Sequence, residues 1–201
     1  VSDFAAFVQL GFRHIVDIEA MDHILFLVAL AAIYRSRDVR NVLWVITAFT
    51  VGHSITLALA VTGLLTVPSS IIEFLIPVTI VATGIENLLV RDRNTAAFGW
   101  KYRPVFAGVF GLVHGAGFAN YLKALFIDHI AVPLLGFNVG IELGQIVVLM
   151  LIAALFLGVD QALARIRRPN ASWEALRVRV VAVSTIVVAV GAIWAIQRRP
   201  W

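Results

Sequence analysis

The chain contains no cysteine among its 201 residues. That excludes disulfides, thiolate zinc sites, iron–sulfur clusters and thiol catalysis. Charge is also scarce: 14% of residues are Asp, Glu, Lys or Arg, where an ordinary soluble domain has about 25%. Methionine occurs twice, at Met21 and Met150, so a soft copper(I) site lacks its ligands. No low-complexity tract, solenoid repeat, nucleotide-binding motif or HExxH run is present. What is abundant is apolar surface. Hydrophobic residues make up 61% of the chain and the mean hydropathy is +0.94. A soluble fold of this length has no interior large enough to hide them. The expectation is an all-α polytopic membrane bundle, one transmembrane domain over residues 1–201.

A membrane-spanning helix needs about 20 mostly apolar residues, and the hydropathy pattern predicts six spans. The first ends at Tyr34 and begins between Phe12 and Met21. The others run Val42 to Leu65, Pro68 to Val90, Pro104 to Phe126, Ala131 to Gly158 and Val178 to Ile196. Pro68, Pro104 and Pro133 are expected near helix starts, where a missing N–H costs least. Pro77 falls inside the third span. The net charge of +4 is not a nucleic-acid signal once its placement is read. Twelve of the sixteen basic residues, among them Arg35, Arg40, Arg103, Arg165 and Arg179, lie in or beside the three alternate connections. The connections Thr66–Ser70 and Ile127–Ala131 carry none. The positive-inside rule then puts the basic loops in the cytoplasm and both termini outside, in a bacterial inner membrane. Arg198 and Arg199 fit that orientation poorly. An exported N-terminus ordinarily follows a cleaved signal segment, and none is visible in the chain.

Ionisable side chains inside hydrocarbon are costly and usually functional. Counting from Arg35, Arg40 and Arg103, the residues His23, His53 and His114 lie 11 to 13 positions into their spans. At 1.5 Å per residue they share one depth, roughly 17–20 Å from the inner boundary. Asp22 adds a carboxylate beside His23. In the fifth span Asn138, Glu142 and Gln145 fall on one helix face. Gly136, Gly140 and Gly144 repeat at the opposite face and suggest close packing. Gly111, Gly115 and Gly117 surround His114, and Thr50 and Thr56 flank His53. Thr79, Thr83, Glu86 and Asn87 form a polar stripe near the inner end of the third span, and Glu73 lies near its outer end.

A lone intramembrane histidine is ordinarily a packed, hydrogen-bonded residue. Three at one depth with carboxylates nearby point to a metal or proton site. Imidazoles and carboxylates without thiolates suit Zn²⁺, Ni²⁺, Co²⁺, Cu²⁺ or Fe²⁺. His14 is harder to place. In an unbroken helix His14, Asp17 and Met21 share a face and Asp22 lies off it; a break near Glu19 to Met21 removes that constraint. His129 is expected in an outer loop, away from the site.

Four segments resemble one family. Gly11-Phe12-Arg13-His14-Ile15 followed by Asp22-His23-Ile24-Leu25-Phe26-Leu27 is similar to the N-terminal signature of the HupE/UreJ membrane proteins. Phe49-Thr50-Val51-Gly52-His53-Ser54 resembles that family's second-helix motif. Val113-His114-Gly115-Ala116-Gly117-Phe118 resembles its fourth, and Phe137-Asn138-Val139-Gly140-Ile141-Glu142 its fifth. The resemblance implies nickel permease or accessory proteins that accompany hydrogenase and urease. It also implies His14, Asp22, His23, His53, His114 and Glu142 as the metal-linked positions. One spacing departs from the nickel-linked pattern: seven residues, none of them glycine, separate His14 from Asp22.

Two functions follow as expectations. The first is a divalent-metal permease, nickel foremost, with Asn138, Gln145 and Thr50 supporting the path and Thr83 and Glu86 at its exit. The second is an intramembrane zinc-type hydrolase of a lipid or membrane peptide, with Glu142 as general base. A third possibility makes the metal a permanent staple or sensor. The expected partners are the bilayer and the metal ion, with a homo-oligomer or an accessory metalloprotein as further candidates.

Overall fold

A computed structural model describes residues 3–18, 21–35, 38–89, 93–125, 130–166 and 172–201. Of the residues discussed above, Glu19, Ile127 and His129 lie outside them, as do the expected span ends Val90 and Phe126 and four of the twelve loop basic residues, Arg37, Arg91, Arg167 and Arg168. The described chain forms seven helices: α1 (Asp3–Val16), α2 (Met21–Ala31), α3 (Val39–Val61), α4 (Ser69–Leu89), α5 (Arg93–Leu125), α6 (Ala131–Ile166) and α7 (Ser172–Gln197).

Four segments are both long and apolar enough to cross a bilayer: Val39–Val61, Ser69–Leu89, Ala131–Leu163 and Leu176–Gln197. Their outward faces carry large apolar side chains, such as Trp44, Val51 and Ile55 on α3 and Met150, Leu151 and Leu155 on α6. In water such stripes would drive aggregation, whereas in lipid they face their own solvent. The protein is therefore an all-α, multi-span membrane bundle.

The helices depart from the six expected spans chiefly in two places, while α6 also runs past Gly158 to Ile166 and α7 begins before Val178, at Ser172. The first apolar stretch is not one helix. It breaks after Val16 and resumes at Met21, giving two short apolar helices. The fourth begins earlier than expected, at Arg93, so Pro104 lies inside α5 rather than near its start. The length of α5 would suffice to span, but Arg93, Lys101 and Arg103 dilute its first third. Pro133 is the third residue of α6, and Pro68 precedes α4, where the missing N–H is not needed. Pro77 sits inside α4 without ending it.

Glycine decides how the helices pair. A Cβ on Gly115 would collide with the backbone of His53, and one on Gly111 with the backbone of Phe49. Hence α5 lies directly against α3, and the ascending register shows that the two run in the same direction. Gly140 meets Val8 and Phe12, while Gly136 meets Phe4, so α1 and α6 are parallel as well. Gly84 packs near Ser184 and Val188, whereas Gly191 packs near Pro77 and Val81; α4 and α7 are antiparallel. Small residues give these close approaches because apolar helices in lipid gain little from apolar burial alone. Phe49, Phe137, Ile141, Leu57 and Ile80 fill the spaces between the pairs.

Candidate metal centre

The break between α1 and α2 brings two histidines together. His14 lies in the last turn of α1 and His23 near the first turn of α2. Their ring centroids are 4.6 Å apart. His53, midway along α3, is 6.2 Å from His14 by the same measure. One ligating nitrogen from each of His14, His23 and His53 lies within 4.8 Å of the other two. Three neutral imidazoles so placed could coordinate one divalent ion, with positions left for further ligands.

His114 adjoins this group. Gly115 lets α5 sit on the His53 backbone, and the neighbouring His114 ring then comes 5.4 Å from that of His23. His114 Nε2 lies 3.1 Å from Thr79 Oγ1, and that hydroxyl is itself 2.7 Å from the Ile76 carbonyl. A hydroxyl has one hydrogen. If Thr79 donates it to Ile76, His114 Nε2–H must donate to Thr79, which leaves Nδ1 with a lone pair. His114 Nδ1, His14 Nε2 and both ring nitrogens of His53 are buried and make no hydrogen bond. Native proteins rarely leave buried polar atoms unsatisfied without a function, and imidazole nitrogens are metal ligands.

Aromatic rings enclose the histidines. Phe118 lies tilted 4.0 Å from His14, Phe137 lies 5.7 Å from it, and Phe49 and Phe26 lie 5.2 and 5.6 Å from His114. The sequence reading missed this wall, yet its signal is simple. Phe26 follows His23 by three residues, Phe49 precedes His53 by four, and Phe118 follows His114 by four. Each falls on the same helical face as its histidine.

The remaining candidate residues stand around the group rather than in it. Asp22 is held by Arg198, whose Nη1 lies 2.9 and 3.2 Å from the two carboxylate oxygens. This pair accounts for a basic residue on the side opposite the basic loops. Glu142 accepts a 2.5 Å hydrogen bond from Thr47. Thr50 Oγ1 lies 3.1 Å from Gln145 Oε1 and equally far from the Ile46 carbonyl. Asn138 is half-buried, and its Oδ1 has no hydrogen-bond partner. Thr83 donates to the Thr79 carbonyl at 2.9 Å. Glu86 is paired with Arg103 at 3.0 Å and accepts from Tyr102 at 2.8 Å. Glu73 is exposed on α4.

No curated protein and no solved structure matches the chain. The family model described as HupE / UreJ protein matches residues 1–198. The match covers the helices that supply all four histidines, and the chain belongs to the HupE/UreJ family.

Proposed function

We propose that the protein is a permease that takes a divalent transition-metal ion, nickel foremost, with zinc and cobalt as alternatives, across a bacterial cytoplasmic membrane. The observation that carries this reading is the convergence of His14, His23 and His53 from three helices, with His114 beside them. The ion is cargo. An all-imidazole set without thiolates binds a borderline metal yet can release it.

The broken first segment supports transport. In many transporters an interrupted helix forms the substrate site near mid-membrane, because freed backbone and side chains there line a cavity. Taken as one crossing, α1 and α2 with α3 to α7 make six, with the basic loops inside and the N-terminus outside. On this reading Asn138, Glu142 and Gln145 with Thr50 serve the outer approach and Asp22 stands at its edge. Thr83 and Glu86 serve release. Arg103 holds Glu86 in the present conformation, so release requires that pair to part.

The hydrolase reading needs a carboxylate beside the metal. Among the described residues none joins the three-histidine group, and Glu142 is engaged by Thr47. Transport is tested by nickel uptake into sealed vesicles containing the purified protein. Glu142→Gln should retain nickel binding and lose most uptake. Uptake equal to wild type, or metal-dependent cleavage of a lipid or peptide, would overturn the reading.

A further inference from the structure

Away from the histidines, a second feature has no part in the metal reading. A cavity of about 400 Å³ opens between α2, α3, α6 and α7. Its walls are apolar, with Val42, Ile46, Leu149, Ala153 and Leu157 among the lining residues. Its polar residues lie together at the end where these helices meet the basic connections: Tyr34, Arg35, Asp160 and Arg179. From that mouth the cavity reaches Ile46 on α3 and Ile146 on α6. Those positions are 7 residues from Val39 and 14 from Asp160, or about 10 and 21 Å along the helices. One leaflet of hydrocarbon is about 15 Å deep. The cavity thus has the polarity and depth of a single leaflet, apolar below and charged at the top.

The charges at the mouth are of both signs. Arg179 is buried and tied to its neighbours: it donates to the Ala32 and Tyr34 carbonyls and to Asp160 Oδ2, and its guanidinium lies 4.8 Å from the centre of the Phe156 ring. Asp160 keeps a partly open side chain, 29% exposed; its Oδ2 accepts from Arg179, while its Oδ1 is buried without a hydrogen-bond partner, so the carboxylate retains lone pairs beyond the Arg179 bond. Arg35, a second basic residue, also lines this mouth.

We propose that this cavity is a binding site for an ethanolamine phospholipid. One acyl chain fills the apolar groove. The phosphate lies by Arg35, and the headgroup ammonium donates to Asp160. A choline headgroup has no N–H to donate, and a glycerol headgroup has no cation, so neither complements both charges. The arrangement selects for an ammonium with free hydrogens as well as for a lipid tail.

The test is native mass spectrometry of the full chain released from nanodiscs. The discs hold equal amounts of ethanolamine, N-methylated ethanolamine, choline and glycerol phospholipids with identical acyl chains. The retained lipid should be enriched in ethanolamine at least about tenfold over choline, the low end of the difference expected from one charge-assisted hydrogen bond, and should decline with each added methyl. Ala153→Phe, which fills the groove, should abolish retention while leaving metal binding intact. Asp160→Asn should flatten the headgroup preference; if that variant does not fold, the methylation series on the wild type decides. Equal retention across the series, preference for the glycerol lipid, or unchanged retention in Ala153→Phe would overturn the proposal. So would a wild-type dimer that retains no lipid and is dissociated by Ala153→Phe, since a second copy would then cover the groove.

Discussion

Two of the buried polar clusters among the described residues are built on opposite plans. Around Glu86 the groups satisfy one another. Arg103 bridges Glu86 and Asn87, Tyr102 donates to Glu86, and Asn87 donates to the Ala29 carbonyl at 2.6 Å. Around His53 both ring nitrogens lack a hydrogen-bond partner, and phenylalanines stand where hydrogen-bonding groups might have been. Closed polar networks rigidify a membrane bundle, because every donor they leave unmatched is costly. A cluster left open carries that cost in the resting protein and regains it when a ligand arrives. The contrast separates a region that holds helices together from one whose histidines could coordinate a metal ion.

The contrast can be broken at either end. Its largest expected effect is on metal affinity. His53→Ala should weaken binding by more than about 100-fold, beyond the 10–100-fold loss typical when only a hydrogen-bond partner of a ligand is removed. Isothermal titration with nickel would measure it, and the thermal stabilisation that metal confers should vanish with it. Next comes Arg103→Met, which should destabilise the protein by about 2 kcal/mol. That is less than the 3–5 kcal/mol for breaking a fully buried pair, since the Glu86 side chain is 22% exposed. Unfolding in detergent would register the loss, and metal affinity should stay within about twofold of wild type, as expected for separate sites. The smallest effect belongs to Thr79→Val. Losing the hydroxyl that orients His114 should lower affinity by about tenfold, the low end for such partners. That variant tests whether His114 contributes to the site as well as adjoining it.

Much of this arrangement was legible in the sequence, and the residues show where legibility stopped. Counting from the arginines placed His23, His53 and His114 at one depth, and their rings do lie together because helical rise is constant. An unbroken helix leaves His14 off the Asp22 face, and a break near Glu19 to Met21 is the alternative that the sequence leaves open. The break between Val16 and Met21 returns His14 to His23. Periodicity within one segment cannot report such a break. The four-residue glycine rows were readable as close packing, but not which helix each would meet. The pairing of α1 with α6 joins positions more than 120 residues apart, and no local pattern carries it. The partner of Asp22 was hidden for the same reason. Arg198 looked only like an exception to charge placement, and the fold gives it a carboxylate 176 residues away.

On the proposed function, the open histidine cluster binds one transition-metal ion. The most direct test is the metal content of the purified full chain after exposure to nickel, zinc or cobalt and removal of free ion, read by elemental mass spectrometry. Wild type should hold one ion per chain, and His14→Ala combined with His53→Ala should hold none while keeping the wild-type helical circular dichroism. A wild type that retains no ion, or a folded double variant that retains as much as wild type, would contradict the account.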